Sequence, residues 1–186
     1  TKKSGLLLFF VLEQFYTKVA YDAIVPVVNP DNPVSSLSKE QLKKIYTSRI
    51  TNWKEVSGKD LPINLTTRNL GSGTYEGWKH LVIGKKAVMS PRSIPMESGP
   101  LRKYISENPD AIGYFAFSYI DNSIKPLAVN GILASYESIK SGKYPLMREL
   151  ILYTREDASA EIINFIEYIK GATAKFAEAA GVFPLD

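Results

Sequence analysis

Short apolar runs of strand length recur along this chain, and polar segments with helical spacing separate them. Residues 19–29 (VAYDAIVPVVN) and 112–120 (IGYFAFSYI) are rich in β-branched and aromatic residues, which predicts two buried strands. Shorter apolar runs predict further strands at residues 63–67, 124–129 and 150–154. These runs supply the strands of the expected core.

Capping residues and apolar periodicity predict helices between these strands. Ser38 and Gln41 have the spacing of a capping box, which predicts a helix through about Tyr46. Ser98, with a proline two residues later, is the expected N-cap of a helix over residues 101–107. Further helices are predicted at residues 51–56, from Thr74 onward, at 136–140, at 158–170 and at 173–180.

The helix predicted at residues 158–170 is amphipathic. Gly171 is expected to end it, and Thr173 is expected to cap a last helix. The tail at residues 182–185 is expected to pack down onto the core. The apolar face of the amphipathic helix carries Ile162, Ile163, Phe165, Ile166 and Ile169.

Strands that alternate with helices are typical of an α/β fold with a mainly parallel sheet flanked by helices. In such folds, ligands bind at the carboxyl ends of the strands. The sequence contains no internal repeat and no low-complexity linker. A second lobe would therefore have to be built by the chain crossing over and returning.

A Gly-Ser-Gly-Thr turn after one of the predicted strands is the candidate binding site. The apolar run stops at Gly71, Ser72, Gly73 and Thr74, and a helix begins there. The free N–H groups and positive dipole end of a helix N-terminus, together with small hydroxyl side chains, suit an oxyanion. Gly73 lets the backbone approach the ligand closely. Arg68, just before the turn, can add a bidentate, charge-assisted contact to the same anion.

Composition sets limits on this interpretation. The chain has 186 residues, of which 45% are hydrophobic and 23% charged, as in a globular protein of one ordinary domain or two small lobes. Its net charge of +4 and pI of about 9.1 are compatible with an anionic ligand. The absence of cysteine excludes disulfides and thiolate metal sites.

Motifs of catalysis and nucleic-acid binding are missing from the sequence. The turn lacks the lysine of a nucleotide P-loop, and its glycine spacing differs from that of a nucleophile elbow. With a single histidine, His80, and no cysteine, neither a Ser-His pair nor a zinc site is expected. His80, Trp53 and Trp78 are interpreted as core or surface residues, Trp53 as half-buried. Lysine and arginine are scattered, without a basic face. We therefore predict a non-enzyme with no cofactor, no metal and no nucleic-acid partner.

The N-terminus has an apolar run at residues 5–12 (GLLLFFVL), preceded by Lys2 and Lys3. This order resembles the charged and hydrophobic regions of a secretory signal, but no small-residue cleavage site follows. The run is also shorter than the roughly 20 apolar residues of a membrane helix. A buried strand or short core helix is the favoured interpretation, and the remnant of a signal or of a rearranged N-terminus is the alternative.

Several motifs after about Lys18 occur in the order found in one family. They are residues 20–24 with 28–30, 37–42, 50–53, Arg68 with 71–74, 111–114, 142–146 and 150–154. Together they resemble the phosphate-binding protein of bacterial and archaeal ABC phosphate importers.

The resemblance implies a two-lobed receptor of the type II periplasmic-binding class, which closes on a dehydrated phosphate and delivers it to an ABC permease in the membrane. It implies that phosphate binds to Arg68 and to the four residues of the turn. It also implies an extracytoplasmic location, in the periplasm or at the outer face of the cell membrane. Residues 30–120 would form the second lobe, and residues 1–29 with 121–186 a reduced first lobe.

Two departures from the family pattern change the expected site. Leu70 stands where the family commonly has an aspartate that holds the arginine, so another group must orient Arg68. The N-terminal anion loop of the family, and the carboxylate that accepts the proton of hydrogen phosphate, have no counterpart in residues 1–18. Glu13 and Asp22 are the nearest acidic residues, and a carboxylate beside a strand is usually solvated or paired. The sequence therefore does not predict selectivity for phosphate over sulfate.

Two hypotheses follow. In the first, the chain binds phosphate for an ABC importer, and a reduced first lobe or a second copy in a homodimer completes the site. In the alternative, the chain is a shortened binding-protein-like sensor or interaction module with a vestigial anion site. The run at residues 5–12 would then face a partner.

Overall fold

The computed structural model describes residues 15–185 of the chain. The apolar run at residues 5–12 and Glu13 lie outside the described residues, so the expectations for them stay predictions.

Strands and helices alternate through most of the chain, as predicted. The strands are β1 (Phe15–Val28), β2 (Ser36–Leu37), β3 (Asn64–Arg68), β4 (Ile94–Met96), β5 (Ala111–Ala116), β6 (Lys125–Pro126), β7 (Ala128–Val129) and β8 (Met147–Thr154). The α-helices are α1 (Lys39–Tyr46), α2 (Gly73–Trp78), α3 (Ser98–Glu107), α4 (Tyr136–Lys140) and α5 (Ala160–Ala180). A π-helical segment, Lys79–Ile83, continues α2, and single 3₁₀ turns occupy Trp53–Val56 and Phe117–Tyr119.

The main sheet is mixed. Among the described residues it contains six strands in the order β4-β3-β5-β1-β6, with β8 paired to the first part of β1. Strand β3 runs parallel to β4 and β5, whereas β1 runs antiparallel to β5, β6 and β8. The expectation of a mainly parallel sheet is therefore correct around β3 and wrong around β1. An apolar run shows that a strand is buried on both faces, but it does not show the direction of the neighbouring strand.

Strand β1 links the two halves of the sheet. Its residues 15–23 pair with β8, and its residues 24–28 pair with β5. The division into lobes at residues 30–120 and 1–29 with 121–186 stays a prediction. The tail packs down as expected, because Phe183 is buried and exchanges two backbone hydrogen bonds with Tyr21.

Local capping signals are accurate in some places and misleading in others. The Ser38–Gln41 capping box is formed, and Trp53 is fully buried instead of half-buried. The N-cap of α3 is Glu97, not Ser98, and it makes no side-chain capping bond. The predicted strand at 112–120 ends at Ala116, and the one at 124–129 divides into β6 and β7, which belong to different sheets.

The C-terminal helix is longer than predicted. Gly171 lies inside α5, and the helix continues to Ala180. Gly181 follows with φ of 64°, the left-handed conformation that commonly ends helices. Of the predicted apolar face, Ile166 is buried, whereas Ile162, Ile163 and Phe165 are exposed. No helix within residues 15–185 has both the length and the apolar character needed to cross a bilayer.

Candidate functional site

The Gly-Ser-Gly-Thr turn lies at the carboxyl end of β3, as predicted. Ser72 is the N-cap of α2, and its Oγ accepts hydrogen bonds from the N–H groups of Thr74 (3.2 Å) and Tyr75 (3.4 Å). The Ser72 carbonyl accepts from the N–H of Glu76 at 3.1 Å. These contacts leave Gly73 as the first-turn N–H for which residues 15–185 provide no hydrogen-bond acceptor. Because Ser72 Oγ acts as the acceptor, its O–H can still donate to a ligand.

The space over the turn is open. Gly71 and Gly73 are exposed, and a Cβ atom added at either residue would have no neighbour within 4 Å. Thr74 is buried, and Ser72 is half-buried. A small anion can therefore reach the first turn of α2 without displacing protein atoms near these glycines.

Arg68 is the last residue of β3, and it is only 9% exposed. Its Nη2 lies 3.6 Å from Glu97 Oε2, and its buried Nε has no hydrogen-bond partner within the described part of the chain. Burying a charge without satisfying its donors is costly, so the site favours a group that accepts from this guanidinium. This is the electrostatic setting that an oxyanion requires.

Glu97 is a residue of the site that sequence analysis missed. Its Oε1 accepts a hydrogen bond of 2.6 Å from Asn69 Nδ2, and its Oε2 faces Arg68. The parallel pairing of β3 with β4 aligns Arg68 with Met96, which brings the following Glu97 to the end of β3. Glu97 thus takes the orienting role expected of another group, while Leu70 is exposed. Only the strand register could have identified it.

An aromatic cluster lies beneath the turn. The Trp78 and Tyr114 rings stack with centroids 4.3 Å apart, and Tyr46 meets both rings edge-on. Tyr114 Oη lies 2.6 Å from Thr67 Oγ1 and accepts a long hydrogen bond of 3.5 Å from the Arg68 backbone N–H. Burial raises the pKa of Tyr114 to about 12, so the phenol is neutral at physiological pH. The cluster confirms Trp78 as a core residue, and it supports both β3 and α2.

A buried ion pair lies beside the turn. Arg148 donates to Asp22 Oδ2 from Nε (2.8 Å) and Nη2 (2.5 Å), and Asp22 is 5% exposed. Nη1 of Arg148 donates to the Gly73 carbonyl at 2.7 Å. Asp22 is therefore a paired carboxylate, as expected beside a strand, and Arg148 is a second residue that sequence analysis missed.

His80 is exposed in the π-helical segment, away from these ion pairs. Within residues 15–185, no group of three or more histidine, cysteine, aspartate or glutamate side chains is placed to hold a metal ion.

Comparison with known proteins gives the relationship of the chain. The sequence matches the PBP superfamily domain over residues 3–172. The chain belongs to the PBP superfamily. This membership, together with the relatives described next, confirms the fold class and the resemblance inferred from the motifs.

Two curated relatives are phosphate-binding proteins named PstS. The one from Bacillus subtilis is 36% identical over 155 residues, which cover 82% of this chain and 51% of the relative. The one from Borreliella burgdorferi is 33% identical over 173 residues, which cover 86% of this chain and 61% of the relative. This PBP superfamily chain thus spans about half to three fifths of the length of these relatives.

Solved structures show the same fold. An ABC-type phosphate transport receptor from Vibrio cholerae superposes with a TM-score of 0.83 at 28% identity, covering 93% of this chain and 73% of that one. A putative phosphate ABC transporter substrate-binding protein from Clostridium perfringens, with bound phosphate, gives 0.82 at 30% identity, covering 93% and 72%. These PBP superfamily relatives are described as binding proteins and transport receptors, not as enzymes.

Proposed function

We propose that this chain is the phosphate-binding part of an extracytoplasmic solute-binding protein of an ABC importer. The observation that carries the proposal is the buried Arg68 guanidinium, whose Nε has no partner among the described residues, at the end of β3. The names of the relatives, which include a structure with bound phosphate, give independent support.

Inorganic phosphate would bind to Arg68, Gly71, Ser72, Gly73 and Thr74. Arg68 supplies a full positive charge in a water-poor setting, where it acts strongly on an anion. The Gly73 N–H and the Ser72 hydroxyl donate hydrogen bonds, and the helix dipole of residues 73–83 adds positive potential. Gly71 leaves space for the ligand, and Thr74 contributes its N–H and hydroxyl. Binding in this way leaves phosphate chemically unchanged, which fits a non-enzyme.

The proposed partners are the membrane subunits of the importer, to which the loaded receptor delivers phosphate, and a second copy of the chain in a homodimer. The alternative, a sensor or interaction module with a vestigial site, depended on the apolar run at residues 5–12. That run lies outside the described residues, and no observation in the described part of the chain favours the alternative.

The proposal is tested by isothermal titration of the chain with phosphate at neutral pH. Wild type is expected to give saturable heat, and Arg68→Met is expected to weaken binding by about 100-fold or more, because it removes a buried charged donor. Arg102→Met is a matched control, since Arg102 forms an exposed ion pair with Asp121 outside the turn. Absence of heat from wild type at millimolar phosphate, or equal affinity in Arg68→Met, would contradict the proposal.

A further inference from the structure

We propose that Arg148 is a positioning residue of the anion site, which acts on bound phosphate through the peptide group between Gly73 and Thr74. The inference rests on the proposed function of the turn and extends it to a residue that does not itself touch the ligand.

The guanidinium of Arg148 is fixed on two sides. Asp22 and Arg148 are direct partners in the antiparallel register of β1 and β8. Nε and Nη2 donate to Asp22 Oδ2, and the other carboxylate oxygen of Asp22 accepts the Ala23 N–H at 2.7 Å. The remaining Nη1 is thereby aimed at the Gly73 carbonyl, 2.7 Å away. The strand pair thus presents a preorganised cation to the first turn of α2.

The helix is shaped to admit this cation. A Cβ atom at Gly77 would lie 3.1 Å from Nη1 of Arg148 and 2.6 Å from Cδ1 of Ile24. Since Gly77 has no side chain, α2 approaches β1 closely, and the guanidinium fits against its first turn. The contact therefore depends on three elements, β1, β8 and α2, and not on one flexible side chain.

The Gly73 carbonyl and the Thr74 N–H belong to the same peptide group. A cationic donor on the carbonyl oxygen polarises that group, and a hydrogen bond at one end strengthens the donor at the other. The Thr74 N–H is held by Ser72 Oγ at 3.2 Å, the long end of the hydrogen-bond range, so it can turn to a better acceptor. Phosphate is such an acceptor, and Arg148 also adds positive potential at the turn.

A purely structural role makes a different prediction. If Arg148 and Asp22 served only to fasten β8, β1 and α2, removing either partner would harm the fold and phosphate binding together. If Arg148 acts through the peptide group, the two partners are unequal. Removing the Arg148 charge then weakens binding far more than removing the Asp22 charge, because the amide oxygen of Asp22→Asn still accepts from the guanidinium.

The experiment compares Arg148→Met, Arg148→Gln, Asp22→Asn and the control Lys18→Met. Lys18 pairs with Glu149 across the same two strands, in an exposed position with no contact to the turn. Phosphate affinity is measured by titration calorimetry, Tm by thermal unfolding, and the Thr74 amide by NMR of the ligand-free protein. Arg148→Gln is included because its neutral amide can still bridge Asp22 and Gly73 if Arg148→Met does not fold.

Both Arg148 variants are expected to weaken phosphate binding by about tenfold or more, Asp22→Asn by about threefold or less, and Lys18→Met not at all. Tm is expected to fall in Asp22→Asn and Arg148→Met alike, so that affinity and Tm separate. The Thr74 amide resonance is expected to move upfield in the Arg148 variants only.

Equal losses of affinity in Asp22→Asn and Arg148→Gln, following Tm, would overturn the inference. Failure of wild type to bind phosphate would refute the proposed function. The inference would then be judged on the ligand-free protein, where an unchanged Thr74 resonance in Arg148→Gln would overturn it and the expected upfield shift would support it.

Discussion

Arg68 and Glu97 form an unequal ion pair at the mouth of the proposed site. Arg68 is nine-tenths buried, whereas the side chain of Glu97 is 68% exposed and lies 3.6 Å away, beyond hydrogen-bond distance. The carboxylate therefore neutralises Arg68 without satisfying its donors. An incoming anion meets a negative charge that it must outcompete, and Glu97 can retreat into water because it is mostly solvated.

Replacing Glu97 with glutamine is expected to tighten phosphate binding by about two- to tenfold at low salt, since the competing charge is removed. The amide oxygen can still accept from Asn69, so the turn keeps its shape. The gain should shrink as ionic strength rises, because the Debye length is about 10 Å at 0.1 M salt. Calorimetry at two salt concentrations measures both effects.

Glu107→Gln is the control for this substitution, because Glu107 is an exposed residue of the same helix, paired with Lys103. Weaker binding in Glu97→Gln would show instead that the negative charge is required to hold Arg68 in place.

At the residue scale, sequence predicted the positions defined by local signals. The Gly-Ser-Gly-Thr turn follows its strand, Trp78 is in the core, and Asp22 is paired. Glu97 and Arg148 were missed because their contacts depend on strand register. Arg148 reaches Gly73 across 75 residues and Asp22 across 126 residues, and no spacing rule in one sequence connects such distances.

The helix that carries the turn is held against β1 by a missing side chain. Gly77 lies in the middle of α2, where alanine would favour helix formation by about 1 kcal/mol. A Cβ atom there would meet Ile24 at 2.6 Å and Arg148 at 3.1 Å, so the helix would have to move outward. Close packing at this contact outweighs the intrinsic helix preference.

Gly77→Ala is therefore expected to lower the free energy of unfolding by about 1–3 kcal/mol, as overpacking does in other cores. The control is Gly99→Ala in α3, where an added Cβ would have no neighbour within 4 Å and should leave stability equal or higher. Urea unfolding of both variants measures the difference. An unchanged stability in Gly77→Ala would show that Ile24 and Arg148 yield at little cost.

At the element scale, sequence prediction succeeded where a cap is local and failed where a tertiary contact decides. The Ser38 capping box and the bounds of α4 follow from neighbouring residues. Gly171 carries the same chemical signal as Gly181, yet only Gly181 has positive φ and packs against Ser118, in contact that a Cβ would prevent. The choice between two glycines therefore depended on the folded neighbours of the helix.

The molecule as a whole leaves an apolar surface uncovered on α5. Ile162 and Phe165 are about half exposed, and they are adjacent on the helix surface because they are three residues apart. Tyr168 and Tyr153 are also exposed. Sequence predicted the apolar face correctly but could not supply what covers it, since the chain spans about half to three fifths of its curated relatives.

Contiguous exposed apolar patches promote association, so the 186-residue chain is expected to self-associate at micromolar concentrations through α5. The double variant Ile162→Lys and Phe165→Glu should shift it to monomer in analytical ultracentrifugation, while unfolding changes by no more than about 0.5 kcal/mol per exposed substitution. Val88→Lys is the control, because Val88 is exposed in a loop outside α5. Association that persists in the double variant would place the contact elsewhere, and a monomeric wild type would show that scattered polar residues on α5 are sufficient to keep the apolar face in water. If the double variant is monomeric and binds phosphate as wild type does, association and ligand binding use separate surfaces, and one chain is sufficient for the proposed site.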